Sequence, residues 1–248
     1  MSDRAGGTRG TGETAGVERL LAVDPLSRPA VAAVGLVALF VTALATAQVT
    51  AAKVLALSLP VALPVVGPQI LLPGAALAYA VTFFASDCLA ELYGRRTAQV
   101  VVNVGFAMNF VVLALVWSTL VAPGADPEIA AAFGTALGPT TNVVAGSLLA
   151  YVVSQNVDVV LFHAIRDRTG SANLWLRNLA STATSQAMDT VIFVSVAFLV
   201  APTVFGVGNA LPLEAVGTLI VGQYLLKLLI AVLDTPFVYL VVGAVRRA

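Results

Sequence analysis

Six ionisable side chains stand within long apolar stretches of this sequence: Asp87, Glu91, Asp158, Asp189, Lys227 and Asp234. A charge at the centre of a bilayer costs about 2.5–3.5 kcal/mol even on insertion scales, and helix packing alone requires none of them. Their presence implies a polar, partly hydrated interior site. Around two of them the chain repeats itself. Ser154-Gln155-Asn156-Val157-Asp158-Val159-Val160-Leu161-Phe162 and Ser185-Gln186-Ala187-Met188-Asp189-Thr190-Val191-Ile192-Phe193 both read S-Q-x-x-D-x-V-x-F. Gln, Asp and Phe at i, i+3 and i+7 share one helix face. Tyr151 extends the first face, and Asn178 and Thr182 extend the second. On consecutive helices running in opposite directions the element is presented with inverted polarity, a habit of transport proteins with sites near the midplane. The competing reading is two structural Gln–Asp pairs that hold helices together.

Asp87 and Glu91 lie one helical turn apart, and carboxylates so close repel unless a proton or a cation intervenes. Substrate recognition and proton coupling are the functional readings; an ion pair with Arg95, Arg96, Arg177 or Lys227 is the structural one. Lys227 is expected to neutralise a buried carboxylate, and Asp234 joins Asp87, Glu91 and Lys227 as an ion-pair or proton-coupling candidate. Gln48 and Lys53 could line the outer part of a cavity. Cys88 reads as a small core residue and His163 as interfacial. With one Cys and one His, no His-rich metal site or intramolecular disulfide can form, and no metal or cofactor is expected. The absence of GxSxG, HExxH and P-loop patterns argues against an enzyme.

These residues need a scaffold, and composition names it. The AVILMFWYC set makes up 59% of the 248 residues and charged residues only 10%, far below the roughly 25% of a soluble domain. Zero net charge gives no field for nucleic acid. The chain reads as an all-α, multi-pass cell-membrane protein. Six stretches reach the ~20 apolar residues a bilayer needs: about Ala30–Ala52, Ile70–Tyr93, Thr97–Val121, Asn142–Ile165, Leu174–Val200 and Leu213–Val242. Residues 1–25 are expected to be a disordered cytoplasmic tail and 26–248 one six-helix transmembrane domain. Between the first two spans, Val54–Pro68 is apolar but broken by Pro60, Pro64, Gly67 and Pro68, which predicts an extended flap or shallow re-entrant segment. Asp126-Pro127 predicts a helix start, with a short amphipathic helix from Pro127 to Phe133 ending at Gly134. Six spans place Arg4, Arg9, Arg19, Arg28, Arg95, Arg96, Arg166, Arg168, Arg177, Arg246 and Arg247 on one side, so both termini are expected to be cytoplasmic.

Ser86-Asp87-Cys88-Leu89-Ala90-Glu91-Leu92-Tyr93-Gly94 and Leu174-Trp175-Leu176-Arg177-Asn178…Ser181-Thr182…Ser185-Gln186…Asp189-Thr190…Phe193 resemble the queuosine-precursor transporter family, earlier labelled a vitamin-uptake transporter family. Gln48…Lys53 and Ser154-Gln155…Asp158 extend the resemblance over roughly residues 40 to 240, with Gln48 standing where relatives are expected to carry Asn. The resemblance implies a six-helix importer of 7-cyano-7-deazaguanine and its aminomethyl relative, bases that feed tRNA modification. Such a base offers two adjacent N–H donors and a carbonyl. Asp189 or Asp158 would accept the donors and Gln186 or Gln155 would donate to the carbonyl. Phe162, Phe193 or Tyr151 would stack, and Asn178, Thr182 and Arg177 would complete or gate the cytoplasmic mouth, with Asp87, Glu91 and Gln48 as further candidates. The rival is a substrate-binding subunit of an energy-coupling-factor-type vitamin transporter. The small-residue ladder Ala43, Ala47, Ala51 would suit docking to its energising partner. The expected partners are the small-molecule 7-deazaguanine substrate and the lipid bilayer, not nucleic acid; monomer and homodimer are both open.

Overall fold

The computed structural model describes residues 28–63, 67–169 and 174–247, so the expected tail at 1–25 lies outside the described residues. Helix α1 (Arg28–Thr50) leads into strands β1 (Val54–Leu63) and β2 (Gly67–Pro73). Helices α2 (Ala76–Tyr93) and α3 (Arg95–Val121) follow, then the short α4 (Pro127–Leu137). Helix α5 (Thr140–Thr169) is followed by α6 (Leu174–Ser195), which runs through a π-helical turn at Val196–Val200 into α7 (Ala201–Phe205). The last helix is α8 (Leu213–Arg246). Six of the helical segments are long and apolar enough to cross a membrane.

Several threonines inside these spans are satisfied within their own helix. Thr46, Thr50, Thr184, Thr190 and Thr235 each donate to the carbonyl four residues back at 2.8–3.0 Å. In a medium without water this local bond is the cheapest partner available. The π-helical turn frees backbone carbonyls, and Leu211 N donates to Phe198 O at 2.8 Å to take one of them up.

The segment after α1 is extended, as its prolines led us to expect, and its two strands pair as a β-hairpin. Its antiparallel register runs from Val54↔Pro73 to Ser58↔Gln69 and then becomes irregular before Leu63↔Gly67. Pro60 falls in that irregular stretch, where a missing N–H breaks no ladder bond. The second span therefore begins at Ala76, not Ile70: Ile70–Pro73 belongs to β2, and Pro73-Gly74 ends it. Helix α4 runs through Gly134 to Leu137 instead of stopping at Phe133. One glycine costs a helix only about 1 kcal/mol and does not end it unless the chain turns left-handed there. Its start is as expected: Asp126 Oδ1 accepts from Glu128 N at 2.8 Å and Ile129 N at 3.2 Å. Asp126→Ala should cost this helix about 1 kcal/mol, read as faster amide exchange at Glu128 and Ile129 with the rest of the chain unchanged.

Helices α5 and α6 form the tightest pair, and α8 packs on α2, α6 and β2. Small residues let these backbones approach: a Cβ on Gly146 would lie 3.0 Å from Phe193 O and from Ala197 Cβ. The ladder on α1, expected to suit a docking partner, is used inside the chain, since Ala43, Ala47 and Ala51 are all buried. Large apolar residues point outward instead, with Leu77 83% and Val232 71% exposed, as a lipid-facing surface requires.

Candidate functional site

The repeated motif explains the α5–α6 pairing. Ser154 Oγ donates to Asp189 Oδ1 and Ser185 Oγ donates to Asp158 Oδ1, each at 3.3 Å. The serine of each copy thus meets the aspartate of the other, as antiparallel helices with the same pattern must arrange. Both bonds are long for a hydroxyl. The two halves are not equivalent, because Lys227 on α8 donates to Asp189 Oδ2 at 2.6 Å. That pair is shielded, with side-chain exposures of 7% for Lys227 and 19% for Asp189. Lys227 is the buried cation the sequence led us to expect, and α8 presents it to α6.

Asp189 and Lys227 stand at the wall of a partly open cavity of about 140 Å3 lined by residues of α1, α2, α3, α5, α6 and α8. Its polar lining is Thr82, Ser86, Tyr151, Ser154, Gln155, Gln186, Asp189 and Lys227; Phe40, Tyr79, Phe83 and Phe106 supply rings. Drug-sized pockets run to ~300–1,000 Å3, so this one suits a small ligand. Tyr151 stacks on Phe106 with centroids 4.0 Å apart and planes 14° from parallel. Its hydroxyl is held by Asn103, and Gln99 Nε2 donates to it at 3.0 Å. The stack is therefore fixed from α3.

Of the expected site residues, Gln155, Gln186 and Asp189 line the cavity together with Tyr151. Asp158 is engaged by Ser185 and is not among the lining residues. Gln48 is buried between helices and accepts from Ser147 Oγ at 3.4 Å, away from the cavity wall. Phe193 is buried edge-on to Phe198, with centroids 6.0 Å apart. Thr182 is exposed outside the lining. The side chains of Phe162, Arg177 and Asn178 lie outside the described residues.

Asp87 and Glu91 sit toward the C-terminal end of α2, next to Arg95 and Arg96 at the start of α3. Glu91 Oε1 accepts from Arg246 at 2.8 Å, a partner the sequence reading did not include, and both side chains are more than half exposed. Such a pair adds little stability. Asp87 lies beside Asp234 of α8, so two carboxyl groups face each other between these helices. Neither lines the cavity. Among the described residues no cluster of three or more metal-ligating side chains exists.

The sequence reading missed Gln99, Asn103 and Phe106 on α3 and Tyr79, Thr82 and Phe83 on α2. A signal was present on α3: Gln, Asn and Phe at i, i+4 and i+7 in an otherwise apolar span form one stripe.

Six lipid-facing spans around a small, charged and ring-lined cavity define a multi-pass membrane protein of the transport class. Residues 73–241 match the family described as "Putative vitamin uptake transporter", and the chain belongs to that family. It is similar to the "Probable queuosine precursor transporter" of Bacillus subtilis (strain 168), 35% identical over 163 residues that cover 65% of this chain and 67% of the relative. No solved structure matches.

Proposed function

We propose that the chain imports queuosine precursors, 7-cyano-7-deazaguanine and related 7-deazaguanines, for salvage into tRNA modification. The name of the Bacillus subtilis relative supports the substrate class. The single observation that carries the reading to this chain is the lining of the 140 Å3 cavity by Asp189, Gln186 and Gln155 beside fixed aromatic rings. A carboxylate has about four lone-pair sites. Lys227 and Ser154 take one each, on different oxygens, which leaves Asp189 able to accept both N–H groups of a guanine-like edge. Gln186 or Gln155 donates to the neighbouring carbonyl, and the Phe106–Tyr151 stack or Phe83 covers a flat face. The reaction is translocation without a chemical step. The eleven arginines support an orientation with the α2–α3 turn and both termini cytoplasmic and the hairpin facing outward.

Binding of a panel of bases to the purified protein tests the reading. 7-Cyano-7-deazaguanine and guanine should bind at least 100-fold more tightly than adenine, whose edge presents donors where Gln186 and Gln155 donate. Equal binding of adenine would overturn it.

A further inference from the structure

A second, smaller pocket of about 10 Å3 lies beneath the hairpin, lined by Pro73, Tyr79, Phe193, Gln223 and Lys227 among others. As it stands it has room for about one water. Three observations give it more weight than its size. Tyr79 and Lys227 line this pocket and also the main cavity, so they are the partition between the two. Gln223 is only 5% exposed, yet its Oε1 is buried with no hydrogen-bond partner, an arrangement that costs about 1–3 kcal/mol unless a donor arrives. The hairpin reaches this point: Pro73 at the end of β2 lines the pocket, and β2 lies on α8 beside it, with the Leu71 carbonyl directly over Gly222.

We infer that Gln223, Tyr79 and Lys227 form an entry subsite for the same flat, N–H-bearing heterocycle, closed by the β1–β2 hairpin. The inference rests on the importer reading above and adds a station to it. When the hairpin lifts from Gly222 the pocket widens, and an N–H of the base donates to Gln223 Oε1 while the ring lies against Tyr79. Beside Tyr79, Ser147 Oγ donates to Gln48 Oε1 at 3.4 Å. Onward passage requires Lys227 to swing, and because that ammonium is already on Asp189, its movement frees a carboxylate oxygen for the arriving donors. The residue thus links departure from the outer station to capture at the inner one.

Two measurements on the full-length protein in proteoliposomes test this. With 7-cyano-7-deazaguanine as the probe, Gln223→Leu should raise the KM of inward transport at least tenfold, while equilibrium binding in detergent stays within twofold of wild type and thermal stability does not fall. An unchanged KM, or KM and equilibrium binding weakening together, would overturn the entry subsite; failure of the wild-type protein to bind the probe would sink the importer reading instead. The second measurement needs no substrate. In a Cys88→Ala background, an impermeant thiol reagent added from outside should label Gln223→Cys at least tenfold faster than Gln186→Cys. Labelling of Gln223→Cys only from the inside, or no faster than Gln186→Cys, would place it off the entry path.

Discussion

Lys227→Met should destabilise the folded bundle by about 3–5 kcal/mol, the usual cost of removing one partner from a buried ion pair. For a chain of this size that is on the order of 10 °C in thermal midpoint. The cost arises because Asp189, 19% exposed, loses its only cation among the described residues, Ser154 being a weak donor at 3.3 Å. Asp189→Asn alone should also destabilise, because it strands the ammonium. The double variant Lys227→Met/Asp189→Asn removes both charges and should recover most of the midpoint at neutral pH. It should nonetheless lose uptake at least 100-fold. An amide presents one acceptor where the base brings two donors, and its own NH2 opposes them. Recovery of folding without recovery of transport separates the scaffold role of the pair from substrate reading. A double variant that transports at the wild-type rate would remove Asp189 from the site.

The parts of this molecule that the sequence disclosed are those set by one-dimensional properties. Six apolar runs are long enough to cross a bilayer, and an apolar run of that length folds as helix whatever its neighbours. The S-Q-x-x-D repeat was legible too, because antiparallel neighbours with one pattern pair reciprocally. What was not legible depends on how each helix is rotated about its own axis. Nothing in the spacing of Asp158 and Asp189 says that α8 turns Lys227 to one and not the other. Asp87 and Glu91 share a helix face, yet one meets Asp234 and the other Arg246, because α8 crosses α2 at both levels. Gln48 carries the chemistry of a binding residue, but Ser147 on α5 claims it. Gln223 escaped notice for the opposite reason: a lone amide in an apolar run has no pattern around it, and only its unpartnered oxygen marks it. The hairpin was hidden by its prolines, which rule out helix but do not say what pairs with what.

The hairpin can be tested through a sign reversal at two glycines of the same helix. Gly222 and Gly217 both lie inside α8, where replacing glycine by alanine normally stabilises by about 1 kcal/mol. At Gly217 a Cβ would meet nothing within 4 Å, so Gly217→Ala should show that gain or be silent. At Gly222 the added carbon would overlap the Leu71 carbonyl and sit 2.9 Å from Ile70 Cγ1. The carbonyl is backbone and cannot rotate aside, so β2 must lift as a unit. Overpacking of this kind costs about 1–3 kcal/mol. Gly222→Ala should therefore lower stability, speed amide exchange across Val54–Ser58 and Gln69–Leu72, and slow uptake at least tenfold, because a hairpin held off α8 no longer closes over Tyr79 and Lys227. The physical content lies in the contrast: one carbon, one helix, opposite signs, decided by whether a strand lies overhead. If the two variants exchange amides and transport alike, the hairpin does not bear on α8, and the outer wall of the cavity must be built from something else.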